Sequence, residues 1–254
     1  MAEPVLLVEK RDAIATLTLN RPDKMNALSY ELRKAMTDEL EDIRNDRSIE
    51  VVIITGAGRA FCAGLDLKEM GDAQTRGQPL LDPPGQLRTL PQPVIGAING
   101  VAVTGGFELV TSCDVVIGST SARFADTHAR LGIVAGWGLS QRLPRLIGLN
   151  RAKELAVTGN YMSAELAYQW GLLNRVVKPE ELMPTCYALA KDITSCVPAT
   201  VQTAKRLIES GFAMSLGDGM QLEQEINHNH RGATAEEIAA RRDAVQSRGR
   251  SQSS

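Results

Sequence analysis

Two side chains in the middle of the chain have the chemistry of acid–base catalysts. Glu108 follows a pair of glycines, and His128 lies twenty residues further along. A carboxylate or an imidazole in a cleft can carry a proton to or from a reacting carbon, and imidazole titrates near neutral pH. Each also fits a structural role, because an acid is favoured in the first turn of a helix and a lone histidine is more often structural. Residue type alone leaves the choice open.

Two glycine-rich turns are candidates for holding a small anionic group. Each follows a short apolar segment typical of a buried strand, Val51–Thr55 in one case and Pro93–Ile98 in the other. Glycines at these points let the backbone approach another group closely. The second turn leads into a helix predicted near Gly105–Ser112, whose first N–H groups suit a phosphate or a developing oxyanion. Tight turns without a ligand are an equally good interpretation of the residues alone.

Spacing excludes several better-known sites. The run from Gly56 to Phe61 lacks the third glycine and the following helix of a dinucleotide-binding fingerprint. No glycine is followed by Lys-Ser or Lys-Thr, as a P-loop requires, and no Gly-x-Ser-x-Gly nucleophile motif occurs. The four cysteines form no Cys-x-x-Cys pair and have no metal-ligand spacing, so we expect no metal site.

Hydrophobic periodicity places the two turns in an α/β chain. Val5–Lys10 and Ala13–Asn20 are predicted to form a hairpin, and Ser29 is predicted to cap a helix over Tyr30–Asn45. The stretch Gly71–Gly85 is polar, rich in Gly and Pro and without periodicity, so we expect a surface loop. The later part of the chain is predicted to be helical over Gly138–Ile147, Arg151–Val157, Ala164–Trp170, Ala188–Ile193, Thr200–Ser210 and Leu216–Gln246.

Composition limits the class of protein. The 254 residues are 43% hydrophobic, which suffices for one domain of ordinary size with a core. The formal net charge is −2 and no aromatic–basic stripe occurs, which argues against nucleic-acid binding. No window approaches the roughly 18 apolar residues of a membrane span, and the first residues lack a secretory pattern. We therefore expect a cytoplasmic protein with reduced thiols, and no nucleic-acid or membrane partner.

Four segments give the chain a specific resemblance. They read RPDKMNAL at Arg21–Leu28, GRAFCAGLDLKEM at Gly58–Met70, INGVAVTGGFEL at Ile98–Leu109, and RF…G…GWGLSQRLPRLIG within Arg123–Gly148. In this order and at these spacings, the chain resembles the crotonase (enoyl-CoA hydratase/isomerase) superfamily. The resemblance covers most of residues 1–180.

This resemblance implies a fold and an assembly. The fold is an α/β spiral of ββα units, followed by a C-terminal α-helical region that mediates trimerisation. The spiral core, with CoA-thioester binding and catalysis, is placed at residues 1–195, and the helical oligomerisation region at residues 196–254. A homotrimer or a dimer of trimers is expected, which fits a helical tail without an obvious core of its own.

The resemblance also implies roles for individual residues. The backbone N–H groups of Leu65 and Gly105 would form an oxyanion hole for a thioester carbonyl. Glu108 would activate water in a hydratase, or move a proton between C2 and C4 in an isomerase. No separate cofactor is implied, because coenzyme A is part of the substrate. The CoA group would lie along Lys24, Ala27, Leu28, Ala63, Leu65, Asp66, Leu67, Lys68 and Gly105.

The chain departs from the family at the second acid–base position. A typical hydratase carries a second glutamate in a segment like F-G-x-P-E-x-x-x-G, and this chain has His128 at that position. His128 could replace the glutamate, Glu108 could act alone, or neither could act efficiently. Asp126, two residues away, is not an obvious substitute. Trp137 stands where many hydratases have a small residue, and core packing is preferred for it over a role in shaping the acyl pocket.

The favoured prediction is a lyase, an enoyl-CoA hydratase of the kind used in fatty acid β-oxidation. It would add water to a trans-2-enoyl-CoA to give a 3-hydroxyacyl-CoA. Both oxyanion motifs, Glu108 and an ionisable residue at the second position support this prediction. The alternatives are an enoyl-CoA isomerase that moves a 3-enoyl double bond to position 2 with Glu108 alone, and a non-catalytic acyl-CoA-binding protein.

Overall fold

The computed structural model of the chain describes residues 3–70, 81–229 and 232–252. The chain divides into two compact units, Met1–Thr203 and Ala204–Ser254. The first unit contains all the strands that the structure describes, together with the helices packed on them. In the described part of the chain, no helix is long and apolar enough to cross a membrane.

The chain begins with the predicted hairpin. Strand β1 (Leu6–Arg11) pairs antiparallel with β2 (Ile14–Leu19). The two residues between the strands, Asp12 and Ala13, have φ angles of 53° and 63°. Positive φ at both central residues is what a tight hairpin turn requires, since its twist then matches that of the strands.

The first long helix, α1 (Tyr30–Asn45), has the predicted bounds. The Ser29 side chain caps it by accepting a hydrogen bond from the Leu32 N–H at 3.2 Å. One face of the helix is fully buried against the core, and its members are Leu32, Met36, Leu40 and Ile43.

The chain then alternates between two sheets. The six-stranded sheet has the order β1-β2-β3-β5-β7-β10, and its further strands are β3 (Val51–Gly56), β5 (Val94–Ile98), β7 (Val115–Ser119) and β10 (Arg175–Val177). The four-stranded sheet has the order β4-β6-β8-β9, with β4 (Ala60–Cys62), β6 (Val101–Val103), β8 (Arg123–Ala125) and β9 (Met162–Ser163). Strands β3, β5 and β7 pair in parallel, as do β4, β6 and β8.

A short helix follows each of β4, β6 and β8. These helices are α2 (Leu67–Met70), α4 (Gly105–Val110) and α5 (His128–Leu131). The chain therefore repeats a unit of one strand from each sheet followed by a helix, and the predicted spiral of ββα units is confirmed. The stretch Gly56–Leu67, predicted as a loop, contains β4; three-residue strands are too short to leave a periodic signal.

The structure describes further helices outside these repeats. They are α3 (Pro83–Thr89), α6 (Leu139–Ile147), α7 (Leu149–Thr158), α8 (Ala164–Gln169), α9 (Leu182–Thr194), α10 (Pro198–Phe212), α11 (Leu216–Asn229) and α12 (Ala235–Gln252). The end of the predicted loop Gly71–Gly85 is wrong, because α3 begins at Pro83. Proline suits the start of a helix, where its missing N–H is no loss, and Asp82 accepts the Gly85 N–H. Residues 71–80 of that prediction lie outside the described residues.

The inner strands of the six-stranded sheet are buried on both faces, whereas the edge strands β1 and β10 are largely exposed or half-buried. On one face its side chains join the larger core with α1 and the second sheet. On the other face a smaller core packs α9 against the strands, and its members are Ile14, Val51, Ile53, Ile95, Ala97, Ile117, Leu182, Cys186 and Ala190. Burial on both faces explains why β3 and β5 are continuous apolar runs rather than alternating ones.

The second unit consists of helices with little core of its own. No residue from 216 to 229 or from 232 to 250 is buried. Several apolar side chains of α11 and α12 are exposed instead, namely Leu216, Met220, Ile238 and Val245. Exposed apolar helix faces are typical of surfaces that pack against another chain.

Candidate active site

A pocket of about 160 Å³ lies where the two glycine-rich turns meet. Its lining includes backbone of both turns, one carboxylate and one imidazole. The lining residues are Ala63, Leu65, Leu67, Thr104, Gly105, Glu108, Thr127, His128, Leu131 and Ile133. Sequence reasoning placed the two turns and the two titratable side chains in one site, and the structure brings all four together.

The first turn brings the backbone of Leu65 to the border of this pocket. Gly64 has a φ of +87°, which reverses the chain after Ala63. Its carbonyl accepts the Leu28 N–H at 2.7 Å, and the Leu28 carbonyl accepts the Asp66 N–H at 3.3 Å. These two hydrogen bonds use the carbonyl of Gly64 and the N–H of Asp66, the residues on either side of Leu65. The Leu65 N–H itself donates to no residue that the structure describes.

The second turn supplies a matching N–H. Gly105 is the first residue of α4, so its N–H has no helical acceptor, and it donates to no described residue. The preceding residue, Thr104, has φ 48° and ψ −120°, a strained conformation for a β-branched side chain. An ideal Cβ on Gly106 would lie 2.1 Å from the Cys62 carbonyl oxygen, so only glycine permits this approach of α4 to β4.

The two turns lie against each other. A Cβ built on Gly64 would lie 1.9 Å from Thr104 Oγ1 and 3.1 Å from the Gly105 nitrogen. A Cβ on Gly105 would lie 2.9 Å from Cζ3 of the Trp137 ring. Both free N–H groups therefore border one small pocket, which is the arrangement that can hold a single carbonyl oxygen as it gains charge.

Glu108 lies one helical turn into α4, and only 2% of it is exposed. Its Oε1 accepts the backbone N–H of Trp137 at 2.7 Å. The Trp137 carbonyl in turn accepts a hydrogen bond from Arg88 Nη1 at 2.8 Å. Arg88 thus holds the carbonyl of the same residue whose N–H binds one oxygen of Glu108, and Oε2 takes no part in this contact.

The imidazole of His128 lies near the second oxygen of Glu108, Oε2. Its Nε2 lies 3.7 Å from Glu108 Oε2, and its Nδ1 lies 2.6 Å from Asp126 Oδ1. Burial of the imidazole lowers its pKa, but hydrogen bonds and charges from Asp126 and Glu108 outweigh burial and raise the pKa to about 9. At neutral pH the ring is therefore an imidazolium, rather than the group titrating near pH 7 that residue type alone indicates.

Asp126 is the residue that sequence reasoning missed. It is 6% exposed, and it pairs with His128 rather than substituting for a glutamate. Its position in the sequence could have indicated this role, because it lies two residues before the histidine. From there a carboxylate can accept hydrogen bonds from both the ring N–H and the backbone N–H of the histidine. The backbone contact, from His128 N to Asp126 Oδ1, measures 3.3 Å.

Trp137 has two roles in the structure. Its ring is 9% exposed and belongs to the main core, as preferred from the sequence. Its backbone also holds Glu108, which no residue pattern indicated. Cys62, immediately before the first turn, is fully buried, and burial raises the pKa of its thiol to about 12, so it stays protonated.

The residues expected along the CoA group are distributed around the first turn. Ala63, Leu65, Leu67 and Gly105 line the pocket. Lys24 and Lys68 are exposed, and Ala27 is half-buried. The Leu28 side chain is fully buried in the core, so only its backbone reaches the turn. Asp66 pairs with Arg21, whose Nη2 lies 3.0 Å from Asp66 Oδ2 and which also binds the Ala27 carbonyl.

In the part of the chain that the structure describes, no group of three or more His, Cys, Asp or Glu side chains could hold a metal ion. Two N–H groups at a pocket can polarise a carbonyl, and a carboxylate and an imidazole beside them can transfer protons.

Comparison with known proteins gives consistent matches. The sequence model of the family described as Enoyl-CoA hydratase/isomerase matches residues 9–240. A probable peroxisomal enoyl-CoA hydratase 1 of Arabidopsis thaliana is 37% identical, over 98% of this chain and 96% of that protein. A short-chain-enoyl-CoA hydratase of Clostridium acetobutylicum is 38% identical, over 87% of each chain.

The fold matches as well. The crystal structure of an enoyl-CoA hydratase from Mycobacterium smegmatis is 42% identical, with a TM-score of 0.75, and the match covers 89% of this chain and 98% of that one. The resemblance that the four sequence segments indicated is confirmed along nearly the whole length. This chain belongs to the enoyl-CoA hydratase/isomerase family.

Proposed function

We propose that this protein is an enoyl-CoA hydratase, which adds water to a trans-2-enoyl-CoA to give a 3-hydroxyacyl-CoA. The observation that carries the proposal is the meeting of two free backbone N–H groups, from Leu65 and Gly105, with Glu108 and His128 around one pocket. The relatives named enoyl-CoA hydratase, at 37% and 38% identity over most of their lengths, support it.

The reaction follows from that arrangement. The Leu65 and Gly105 N–H groups bind the thioester oxygen and draw electron density from C3 toward the carbonyl. Glu108 accepts a proton from water as the water oxygen bonds to C3, and the double-bond electrons move into the thioester as an enolate. His128 delivers the proton that C2 needs. Losing one oxyanion donor is expected to cost on the order of 100- to 1000-fold in turnover.

One observation favours a second candidate, the enoyl-CoA isomerase. Among the described residues that line the pocket, Glu108 is the one carboxylate. An isomerase needs a single base that takes a proton from C2 and returns it to C4, and Glu108 could perform both steps without His128.

A four-protein assay separates these functions. Crotonyl-CoA and a 3-enoyl-CoA are each offered to the wild type, Glu108→Gln, His128→Ala and His128→Glu. A hydratase consumes crotonyl-CoA and loses on the order of 100- to 10,000-fold of its rate in Glu108→Gln and in His128→Ala. Conversion of the 3-enoyl substrate alone, unchanged in His128→Ala, would establish the isomerase. Binding of both substrates without turnover would leave only a binding protein.

The proposal extends to the CoA contacts. The substrate would carry coenzyme A itself, with no separate cofactor, along the residues placed there from the family resemblance. Lys24 and Lys68 are exposed cations, and their charge suits the phosphates of CoA. Lys68 directly follows the first turn, and the carbonyl of Met25, next to Lys24, accepts the Ala63 N–H within that turn. Replacing both lysines by Gln should raise KM for crotonyl-CoA while changing kcat little. An unchanged KM would remove these two residues from the binding site.

We further propose a homotrimer or a dimer of trimers that works in the cytoplasm on fatty acid intermediates. The exposed apolar side chains of α11 and α12 support assembly with further copies. The four cysteines are free in the structure, which suits a reducing compartment. Sedimentation equilibrium tests the assembly: a mass of three or six chains supports it, and a stable monomer excludes it.

A further inference from the structure

Asp126 is a buried carboxylate next to the pocket but outside its lining. It lies between β8 and α5, and 6% of it is exposed. A single oxygen, Oδ1, receives both the Nδ1 of His128 at 2.6 Å and the backbone N–H of His128 at 3.3 Å. A buried carboxylate is costly without such partners, and Asp126 has a group of opposite charge in contact with it.

The contact decides which atoms of His128 carry protons. A carboxylate accepts hydrogen bonds, so Nδ1 must be the donor to Asp126. The ring then turns Nε2 to Glu108 Oε2, 3.7 Å away. The other oxygen of Glu108 is already occupied by the Trp137 N–H. The imidazole thus lies between two carboxylates, one on each ring nitrogen.

Among the residues that the structure describes, two charged groups act on this imidazole. The charges that act on the imidazole are Asp126, from the segment before α5, and Glu108, from α4. Within α5 itself, Arg130 is directed to Asn160. Helix α7 also packs against α5, and among its described residues no charged side chain contacts His128. Of these two charges, Asp126 is therefore the one whose removal leaves Glu108, the proposed base, intact.

We propose that Asp126 is a positioning residue, which keeps both ring nitrogens of His128 protonated so that Nε2–H is the proton source for C2. The proposal rests on the hydratase function proposed above and assigns its second acid–base group. Where the family has a glutamate, this chain would use the imidazolium of His128, held in place by the buried carboxylate of Asp126.

The proton count closes over one turnover. Glu108 takes a proton from water as the C3–O bond forms and the enolate develops. Nε2 then gives its proton to C2 and the carbonyl re-forms, which leaves Glu108 protonated and His128 neutral. The proton returns from Glu108 Oε2 to His128 Nε2 across the 3.7 Å gap between them. Water has been added, and both side chains are back in their starting states.

Asp126→Asn is the direct test, since it removes the charge and keeps the shape. We expect kcat for crotonyl-CoA at pH 8 to fall on the order of 10- to 100-fold with little change in KM. The alkaline limb of the kcat profile should move down by about 1–3 pH units, as expected when an imidazolium loses a carboxylate partner. Asp126→Ser is a second uncharged variant that keeps a hydrogen-bond acceptor, should Asn prevent folding.

The matched control is Asp114→Asn. Asp114 also accepts a backbone N–H, from Val94 at 2.7 Å, but it lies outside the pocket lining. Its variant should keep the wild-type kcat and pH profile. A loss of rate in both variants, without a shift in the profile, would mean that Asp126 has only a structural role and would overturn the proposal.

A titration of His128 by NMR separates this proposal from the hydratase function. The chain has three histidines, and His128→Gln identifies the signal of interest. A lower pKa of His128 in Asp126→Asn supports the positioning role even if crotonyl-CoA is not hydrated, in which case only the hydratase function fails. The positioning role would be refuted if both Asp126 variants hydrated crotonyl-CoA with the wild-type kcat and the pKa of His128 were unchanged in them.

Discussion

Replacing Gly64 by alanine should disable the oxyanion hole while leaving every titratable side chain in place. The new Cβ would lie 1.9 Å from Thr104 Oγ1, 3.0 Å from the Val103 carbonyl oxygen and 3.1 Å from the Gly105 nitrogen. Rotation of Thr104 can relieve only the first contact, because the other two are with backbone. The turns must therefore separate, and the N–H groups of both Leu65 and Gly105 move.

The size of the effect follows from two separate costs. The φ of +87° at Gly64 costs an alanine about 1–2 kcal/mol in stability. Displacement of the donors should lower kcat for crotonyl-CoA on the order of 100- to 1000-fold. The rate is measured from the loss of enoyl thioester absorbance, and the stability from a urea titration of the same preparation.

Gly148→Ala is the matched control for backbone strain. Gly148 has a similar φ of +91°, but a Cβ there would have no atom within 4 Å, and it lies at the junction of α6 and α7. We expect this variant to lose stability and keep its kcat. If Gly64→Ala turned over crotonyl-CoA within about threefold of Gly148→Ala, the assignment of the two N–H donors would be refuted, given the 100-fold minimum expected for a lost donor.

Two further outcomes concern stability. The pKa of His128 rises from 6.5 to about 9 on folding, so its contribution is complete below pH 6.5 and is lost as pH rises toward 9. Between pH 6.5 and 8 the unfolding free energy of the wild type should fall by about 1–2 kcal/mol more than that of His128→Gln. An equal fall in both proteins, measured by urea titration at the two pH values, would contradict the imidazolium. Ser29→Ala removes the cap of α1 and should cost about 1 kcal/mol with normal kcat; a thermal melt with unchanged Tm would show that the cap contributes nothing.

The fold was predictable where a signal is local and long. The hairpin turn at Asp12 and Ala13 and the helix Tyr30–Asn45 both have strong local patterns, and both were predicted to within a residue or two. The strands of the second sheet were missed because each has two or three residues. Their pairing depends on strands that are distant in the sequence, and no local period records it.

The site was predictable to the level of its turns and its two titratable side chains. Spacing and family motifs place Gly105, Glu108 and His128 in one pocket, since their segments follow parallel strands. The contacts that set their chemistry depend on side-chain conformations and on the backbone N–H of Trp137, which lies 29 residues after Glu108 in the sequence. Neither that bond nor the pairing of Asp126 with His128 has a recurring sequence pattern, so only the structure reveals the imidazolium.

The carbonyl vibration of a bound thioester tests the central claim most directly. Butyryl-CoA with a ¹³C-labelled carbonyl cannot be hydrated, so its infrared band reports binding alone. With the wild type and with Gly148→Ala, the band should shift to lower frequency than in free solution, because the Leu65 and Gly105 N–H groups polarise the bond. With Gly64→Ala it should return toward the free value. A bound band at the free frequency in the wild type would contradict the oxyanion hole.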